Sequence, residues 1–377
     1  MDISRRKMFG LMAGAAGGAG LAACATTGKV DGSLLSELLT DNTVSVSFDH
    51  GVASGDAIRD SVILWTRVTP AKDDAGTVSV SAFYSKDKAS IDAMAAGEKA
   101  EGPSKVLFSH FQTSAARDYT VKIDVSGLEP DSVYYYAFAV KTPTGVTVSP
   151  VGKTRTLPVS GGEKLVMGVI SCSNWPFGYF NVYKALSERT DLDAIMHLGD
   201  YIYEYGADGY GGKVGAKIGR IVDPVTEIIT LDDYRTRHKQ YKSDPNLQAA
   251  HAVCPWYCTW DDHESTNDSY RNGAQNHNPE NNEGSWTDRK QVAVQAYLEW
   301  MPVRDPEPGR AKESIYRSAD FGDLATFFML ESRLTGRSDE ISWGNELRGV
   351  AEADLPAKVM ATVQKYSDPS RTMLGKV

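Results

Sequence analysis

The feature that most constrains the fold of this chain is a change of periodicity near residue 157. From Val46 to about Leu157, apolar residues alternate or run in short bursts, as in VILWTRV, VSVSAFYS, DYTVKIDV and VYYYAFAV, each bounded by Gly, Pro, Asp or Lys turns. Such patterning predicts short antiparallel strands stacked as a sandwich. TRTLPVSGGEKL (154–165) is a linker by composition, punctuated by Pro158, Gly161 and Gly162. Beyond it the pattern becomes apolar strand, polar tip, helix. LVMGVIS (165–171), LDAIMHLGD (192–200), CPWYCTW (254–260) and DLATFFML (323–330) read as strands; YFNVYKALSER (179–189), LDDYRTRHKQY (231–241) and TDRKQVAVQAYLEWM (287–301) read as helices. That order predicts an α/β domain with its chemistry at the carboxyl ends of its strands.

The N-terminus reads differently again. MDISRRKMFGLMAGAAGGAGLAACATTG joins a basic start to a small-residue apolar stretch too short to span a bilayer, so residues 1–24 are expected to be an export signal. Ser4-Arg5-Arg6-x-x-Phe9 resembles the twin-arginine export signature, and Leu21-Ala22-Ala23-Cys24 resembles a lipobox. Cys24 would then carry lipid and hold a periplasmic protein at a membrane surface. Residues 25–45 are expected to be a polar tether, with LLSELL as a short helix. A formal net charge of -9 argues against a nucleic-acid-binding module, which needs clustered Lys and Arg. Of the remaining cysteines, Cys254 and Cys258 either pair or are simply buried, and Cys172 is left over.

Histidine narrows where acid/base or metal chemistry can lie. The seven histidines end at His277, leaving residues 278–377 without one. Three strand ends upstream offer metal ligands: Ser171-Cys172-Ser173-Asn174, Gly199-Asp200-Tyr201-Ile202-Tyr203-Glu204 and Trp260-Asp261-Asp262-His263-Glu264. Each is a weak signal by itself. Together, Cys172, Asp200, Tyr203, Asp262 and His263 suit a ferric ion with thiolate and phenolate ligands beside a harder, carboxylate-bound cation. Asp200 is positioned between the other two sets to bridge the cations, and His263 to donate to a phosphoryl oxygen or a leaving group.

GVASGD (51–56), ILWTR (63–67), SCSN (171–174), HLGDYIYEY (197–205), DYRTRHKQYKSDPNLQAAHA (233–252), WDDHE (260–264), EWMPVR (299–304) and YRSADFGDL (316–324) resemble the PhoD-type alkaline phosphatases of the calcineurin-like superfamily. The resemblance implies a fibronectin type III-like β-sandwich at 46–157 and a four-layer metallophosphatase α/β sandwich at 158–377. It also implies hydrolysis of phosphate monoesters and diesters at alkaline pH by a ferric ion with calcium. Carried over by motif position, Cys172 and Tyr203 are iron ligands, Asp200 the bridge, Asp262 a ligand of the second metal and His263 the phosphate-contacting histidine. Asp261 and Glu264 are expected to hold the turn, and Asn174 and Arg333 to approach substrate. Because such relatives draw further ligands, including histidines, from beyond a segment like SRTMLGKV, the phosphatase domain is expected to be partial here and weak or inactive by itself. The competing functions are a noncatalytic surface protein on a degenerate phosphatase scaffold and a phospholipase-like diesterase. The chain is expected to be monomeric. Gly127 to Tyr136 resembles the tyrosine corner of fibronectin type III-like domains, Trp65 is assigned to the β core, and Arg235, Arg237, His238 and Lys239 to a helix's charged face.

Overall fold

The computed structural model describes residues 24–28, 32–98 and 104–375. The twin-arginine segment therefore lies outside the described residues, as does the side chain of Cys24. The N-terminal half supplies strands β1 (Cys24–Gly28), β2 (Val46–Ser47), β3 (Val52–Gly55), β4 (Ser61–Arg67), β5 (Thr69–Pro70), β6 (Val78–Ser85), β7 (Ser104–Thr113), β8 (Thr120–Ser126), β9 (Val133–Thr142), β10 (Gly145–Val148) and β11 (Gly152–Arg155). Helices α1 (Gly32–Leu38) and α2 (Lys88–Ala95) lie among them. After the linker come β12 (Met167–Ile170), α3 (Asn181–Ser187), β13 (Ala194–His197), α4 (Gly212–Ile218), α5 (Leu231–Lys242), α6 (Pro245–His251), β14 (Trp256–Cys258) and α7 (Trp286–Trp300). A hairpin, β15 (Arg317–Phe321) and β16 (Ala325–Met329), precedes α8 (Trp343–Leu347) and α9 (Leu355–Tyr366).

One sheet runs β1-β7-β6-β9-β10, with β11 also pairing β9. It faces a second sheet across a core in which Val80, Tyr136 and Phe138 meet Val62, Leu64, Val121 and Ile123. Each fully buried aliphatic side chain of this kind contributes about 1.5–3 kcal/mol. The tyrosine corner is realised: the Tyr134 hydroxyl accepts from the Glu129 N–H at 2.9 Å. The expected tether is instead packed on the sandwich. Residues 24–28 pair antiparallel with β7, and Leu35 and Leu39, four apart on one helical face, bury against Phe83 and Ile91.

The second sheet has the order β12-β13-β14-β3-β4-β8. Its first three strands are parallel and come from the α/β segment; β3 joins β14 in parallel, and β4 and β8 follow antiparallel. The boundary near residue 157 is therefore a boundary in the chain, not in the sheet. Gly55 permits the junction, since a Cβ there would lie 2.2 Å from the Pro302 carbonyl oxygen and 2.7 Å from that of Trp256. Trp65 points away from the sandwich core: it clusters with Ala53 and Trp300, and its indole N–H donates to the Glu299 carbonyl at 2.8 Å. Every residue of β4 is buried because the sandwich covers one face and α7 the other.

Helices α5, α6 and α7 cover one face of β12–β14, where Tyr234, Tyr241, Leu247 and Tyr297 pack on Ile195, Trp256 and Cys258. Their starts are capped by sequence: Thr230 and Asp233 form a capping box, Asp244 caps α6 ahead of Pro245, and Ser285 caps α7. The β15–β16 hairpin, expected as part of an α/β alternation, is a separate two-stranded sheet whose Phe327 and Met329 join the core around Tyr257. Arg235, Arg237 and His238 are buried, contrary to a solvated face. Arg235 pairs with Glu299 at 2.7 Å, and His238 stacks on Trp300 with centroids 6.2 Å apart. Cys254 and Cys258 are buried free thiols.

Candidate metal centre

The parallel register aligns Ile170 with His197 and His197 with Cys258, so the loops leaving β12, β13 and β14 emerge side by side. Backbone hydrogen bonds join them: Cys172 N–H to Gly199 O at 3.1 Å, Ser173 N–H to Asp200 O at 2.8 Å, and Thr259 N–H to His197 O at 3.0 Å. Cys172 (φ 61°) and Asp200 (φ 55°) both adopt left-handed backbone, which costs a side-chain-bearing residue about 1–3 kcal/mol and concentrates at functional sites. Gly199 (φ 109°) is required between them, because a Cβ would lie 2.2 Å from the Asp261 nitrogen.

The side chains converge. The Tyr203 hydroxyl donates to Asp200 Oδ2 at 3.0 Å, and the Cys172 thiol donates to the same oxygen at 3.4 Å. Asp200 Oδ1 is buried without a partner. Ligand atoms of Asp200, Asp262 and His263 all lie within 4.8 Å of one another. A carboxylate with one orphaned oxygen, grouped with a second carboxylate and an imidazole and holding a thiol and a phenol at its other oxygen, fits a bound cation. Burial first, with the Asp200 charge adding to it, raises the pKa of both Tyr203 and Cys172, so without a cation both keep the protons they donate.

Supporting residues fix this arrangement. Burial would depress His263, but its Nδ1 lies 2.7 Å from Glu204 Oε2, and Glu204, Asp262 and Asp200 together raise it to about 9. Glu204 also accepts from the Asn267 N–H at 2.8 Å and the Asn276 amide at 3.0 Å. Glu264, pushed up to about 8 by burial and by Asp200, accepts the N–H groups of Tyr201 at 2.6 Å and Asp261 at 2.9 Å, tying two ligand loops together. Asp262 accepts from the Asp268 N–H at 2.6 Å. Arg333 lies 2.6 Å from Asp261 and 3.2 Å from Asp262. Both polar side-chain atoms of Asn174 are buried without partners at the turn after Cys172.

The five residues expected to carry chemistry are thus brought together, with Arg333 at their edge. Sequence reasoning gave Glu204 no role and set Arg237 on a charged helix face. Arg237 donates to the carbonyls of Tyr203, Tyr205 (3.1 Å), Asp223 (3.0 Å) and Pro224 (3.1 Å), clamping the loop that carries Tyr203. The signal available was the penultimate Glu of HLGDYIYEY, an acid set between two tyrosines.

A parallel-strand core whose carboxyl-end loops gather two carboxylates, an imidazole, a phenol and a thiol defines an α/β protein with a candidate metal centre. Comparison with known proteins gives the family. The chain belongs to the PhoD-like phosphatase family, whose description matches residues 167–377, with the PhoD-like phosphatase N-terminal domain matching 33–158. It is 37% identical over 345 residues to alkaline phosphatase D of Bacillus subtilis (strain 168), covering 89% of this chain and 52% of that protein. A solved structure of PhoD is 35% identical with a TM-score of 0.69, covering 88% of this chain and 58% of that one. The chain therefore spans about half the length of the curated relative it matches.

Proposed function

We propose that this chain carries a metal-dependent phosphoesterase centre that hydrolyses phosphate monoesters and diesters at alkaline pH. The observation that carries this is the Asp200 carboxylate, held at one oxygen by Tyr203 and Cys172 and orphaned at the other, within reach of Asp262 and His263. Cys172 and Tyr203 would hold a ferric ion, Asp262 a calcium ion, and Asp200 both. Such a pair would lower the pKa of bound water and neutralise charge on phosphoryl oxygens. His263, oriented through Nδ1 by Glu204, presents its other nitrogen to donate to a phosphoryl oxygen or the departing alkoxide. Arg333 and Asn174 are the proposed substrate contacts. Among the described residues no helix is long and apolar enough to cross a membrane. The twin-arginine and lipobox resemblances support export and attachment to a membrane surface through Cys24.

The test is hydrolysis of bis-p-nitrophenyl phosphate by the chain loaded with ferric iron and calcium. The expected result is slow turnover that a chelator abolishes and that Asp262→Ala reduces at least about a hundredfold, the scale of loss when a metal or its support is removed. Turnover untouched by the chelator or by Asp262→Ala contradicts the proposal.

A further inference from the structure

A continuous series of aromatic rings leads from the candidate metal centre to the surface. Tyr203 stacks on His263 with centroids 4.2 Å apart, and His263 lies 5.6 Å from Tyr205. Tyr205 lies 5.8 Å from Tyr210, and Tyr210 lies 4.9 Å from Phe177. The outer two rings are far from buried: Phe177 is 47% and Tyr210 59% exposed. Two neighbouring aromatic faces left in water make a contiguous apolar patch beside the site, the kind of surface that ligand-binding grooves present.

These rings are held in place rather than loosely displayed. Gly211 (φ 87°) lets α4 approach so closely that a Cβ would lie 2.9 Å from Phe177, and a Cβ on Gly215 would lie 2.9 Å from Pro176. The Tyr179 hydroxyl donates to the Ile218 carbonyl at 2.9 Å, and the Arg220 guanidinium lies 3.5 Å from the Trp175 ring centroid. The turn bearing Phe177 and the loop bearing Tyr205 and Tyr210 are thereby fixed to each other beside His263. A ligand whose phosphoryl group met His263 would project its ester group along this wall.

We infer that Tyr205, Tyr210 and Phe177 form a subsite for the leaving group, selecting phosphate esters of planar aromatic groups such as aryl or nucleoside esters. This rests on the phosphoesterase reading of the same site. Stacking on an aromatic side chain is sequence-tolerant and strong enough to change affinity about tenfold or more per ring. Flat rings are favoured over alkyl chains because offset stacking and edge contacts need a π face.

The test uses phosphonates, whose C–P bond is not a phosphoester bond, titrated calorimetrically into the metal-loaded chain. Benzylphosphonate is expected to bind about tenfold more tightly than methylphosphonate, and more tightly than heptylphosphonate, which has the same number of carbons. Tyr210→Ala and Phe177→Leu, both surface changes away from the metal ligands, are expected to reduce that preference to about twofold or less while inorganic phosphate binds as before. Equal binding of benzyl- and methylphosphonate, or of benzyl- and heptylphosphonate, overturns the subsite in the unsubstituted protein alone. So does a preference that survives both substitutions. Failure to bind inorganic phosphate refutes the phosphoesterase reading itself, and the subsite with it.

Discussion

At the residue scale, the site is built on backbone that resists ordinary side chains. Cys172 and Asp200 occupy left-handed conformations, and Gly199 is squeezed against Asp261. Gly199→Ala combines a contact at 2.2 Å with an unfavourable φ, so it is expected to lower stability by about 2–4 kcal/mol, read as a drop in the urea midpoint. An unchanged midpoint would show that the two loops are not locked as described. Glu204→Ala removes the partner of His263 Nδ1 while leaving the ring in place, and the expected outcome is about a tenfold or greater loss of turnover, with a shifted pH profile and metal binding retained. A pH profile unchanged by that substitution would deny Glu204 its positioning role. The candidate ligands were legible because each follows an apolar strand and is a residue type with metal chemistry. Glu204 and Arg237 were not, because their roles depend on which carbonyls and imidazoles a fold brings to them.

At the scale of elements, strands with clean alternation were legible and strands without it were not. VSVSAFYS forms β6 as expected, whereas SKVLFSHFQT, which forms β7, lacks the pattern, and its place is set by pairing with β6 on one side and β1 on the other. Helix α5 misled for a related reason: its charges pair inside the fold rather than with water. Buried histidines across the fold give a pH dependence. His50, His197 and His238 are depressed to about 3, and His251 falls well below its ordinary value, all chiefly by burial. As pH falls below about 6.5 the unfolded chain takes up protons that the native chain refuses, so stability drops between about pH 6.5 and 3, by up to about 1.4 kcal/mol per pH unit per histidine. Glu264, held up at about 8, opposes this, as do the raised carboxyls of Asp262 and Glu227. A urea midpoint that stays level from pH 7 to pH 5 would contradict the burial of these rings. Lys242 is lowered to about 7 by burial, so between about pH 7 and 10.5 it makes stability rise with pH. Lys242→Met is expected to flatten that slope and to raise stability most at pH 7.

At the scale of the whole molecule, two segments with different sequence patterns share one sheet. The junction of β3 with β14 joins residues some two hundred positions apart, which no local periodicity reports. Motifs that carry no metal ligand meet there instead. Asp56 accepts from the Arg317 guanidinium at 2.6 Å and from the Arg304 N–H at 2.6 Å, and Arg304 reaches Asp124 at 2.8 Å. Calorimetry is therefore expected to show one unfolding transition. Asp56→Ala should shift it down by the equivalent of about 2–5 kcal/mol, because it strands Arg317 without its carboxylate. Two separable transitions would mean that the sandwich and the α/β segment fold independently, as the sequence pattern alone suggests.

The central claim is that Tyr203 and Cys172 share a ferric ion with Asp200. Phenolate and thiolate bound to ferric iron absorb visible light by charge transfer, so the visible spectrum of the iron-loaded chain is the direct measurement. The expected result is a coloured protein whose band is lost in Tyr203→Phe and weakened in Cys172→Ser. Iron bound without a visible band, or a band that survives Tyr203→Phe, would contradict the claim.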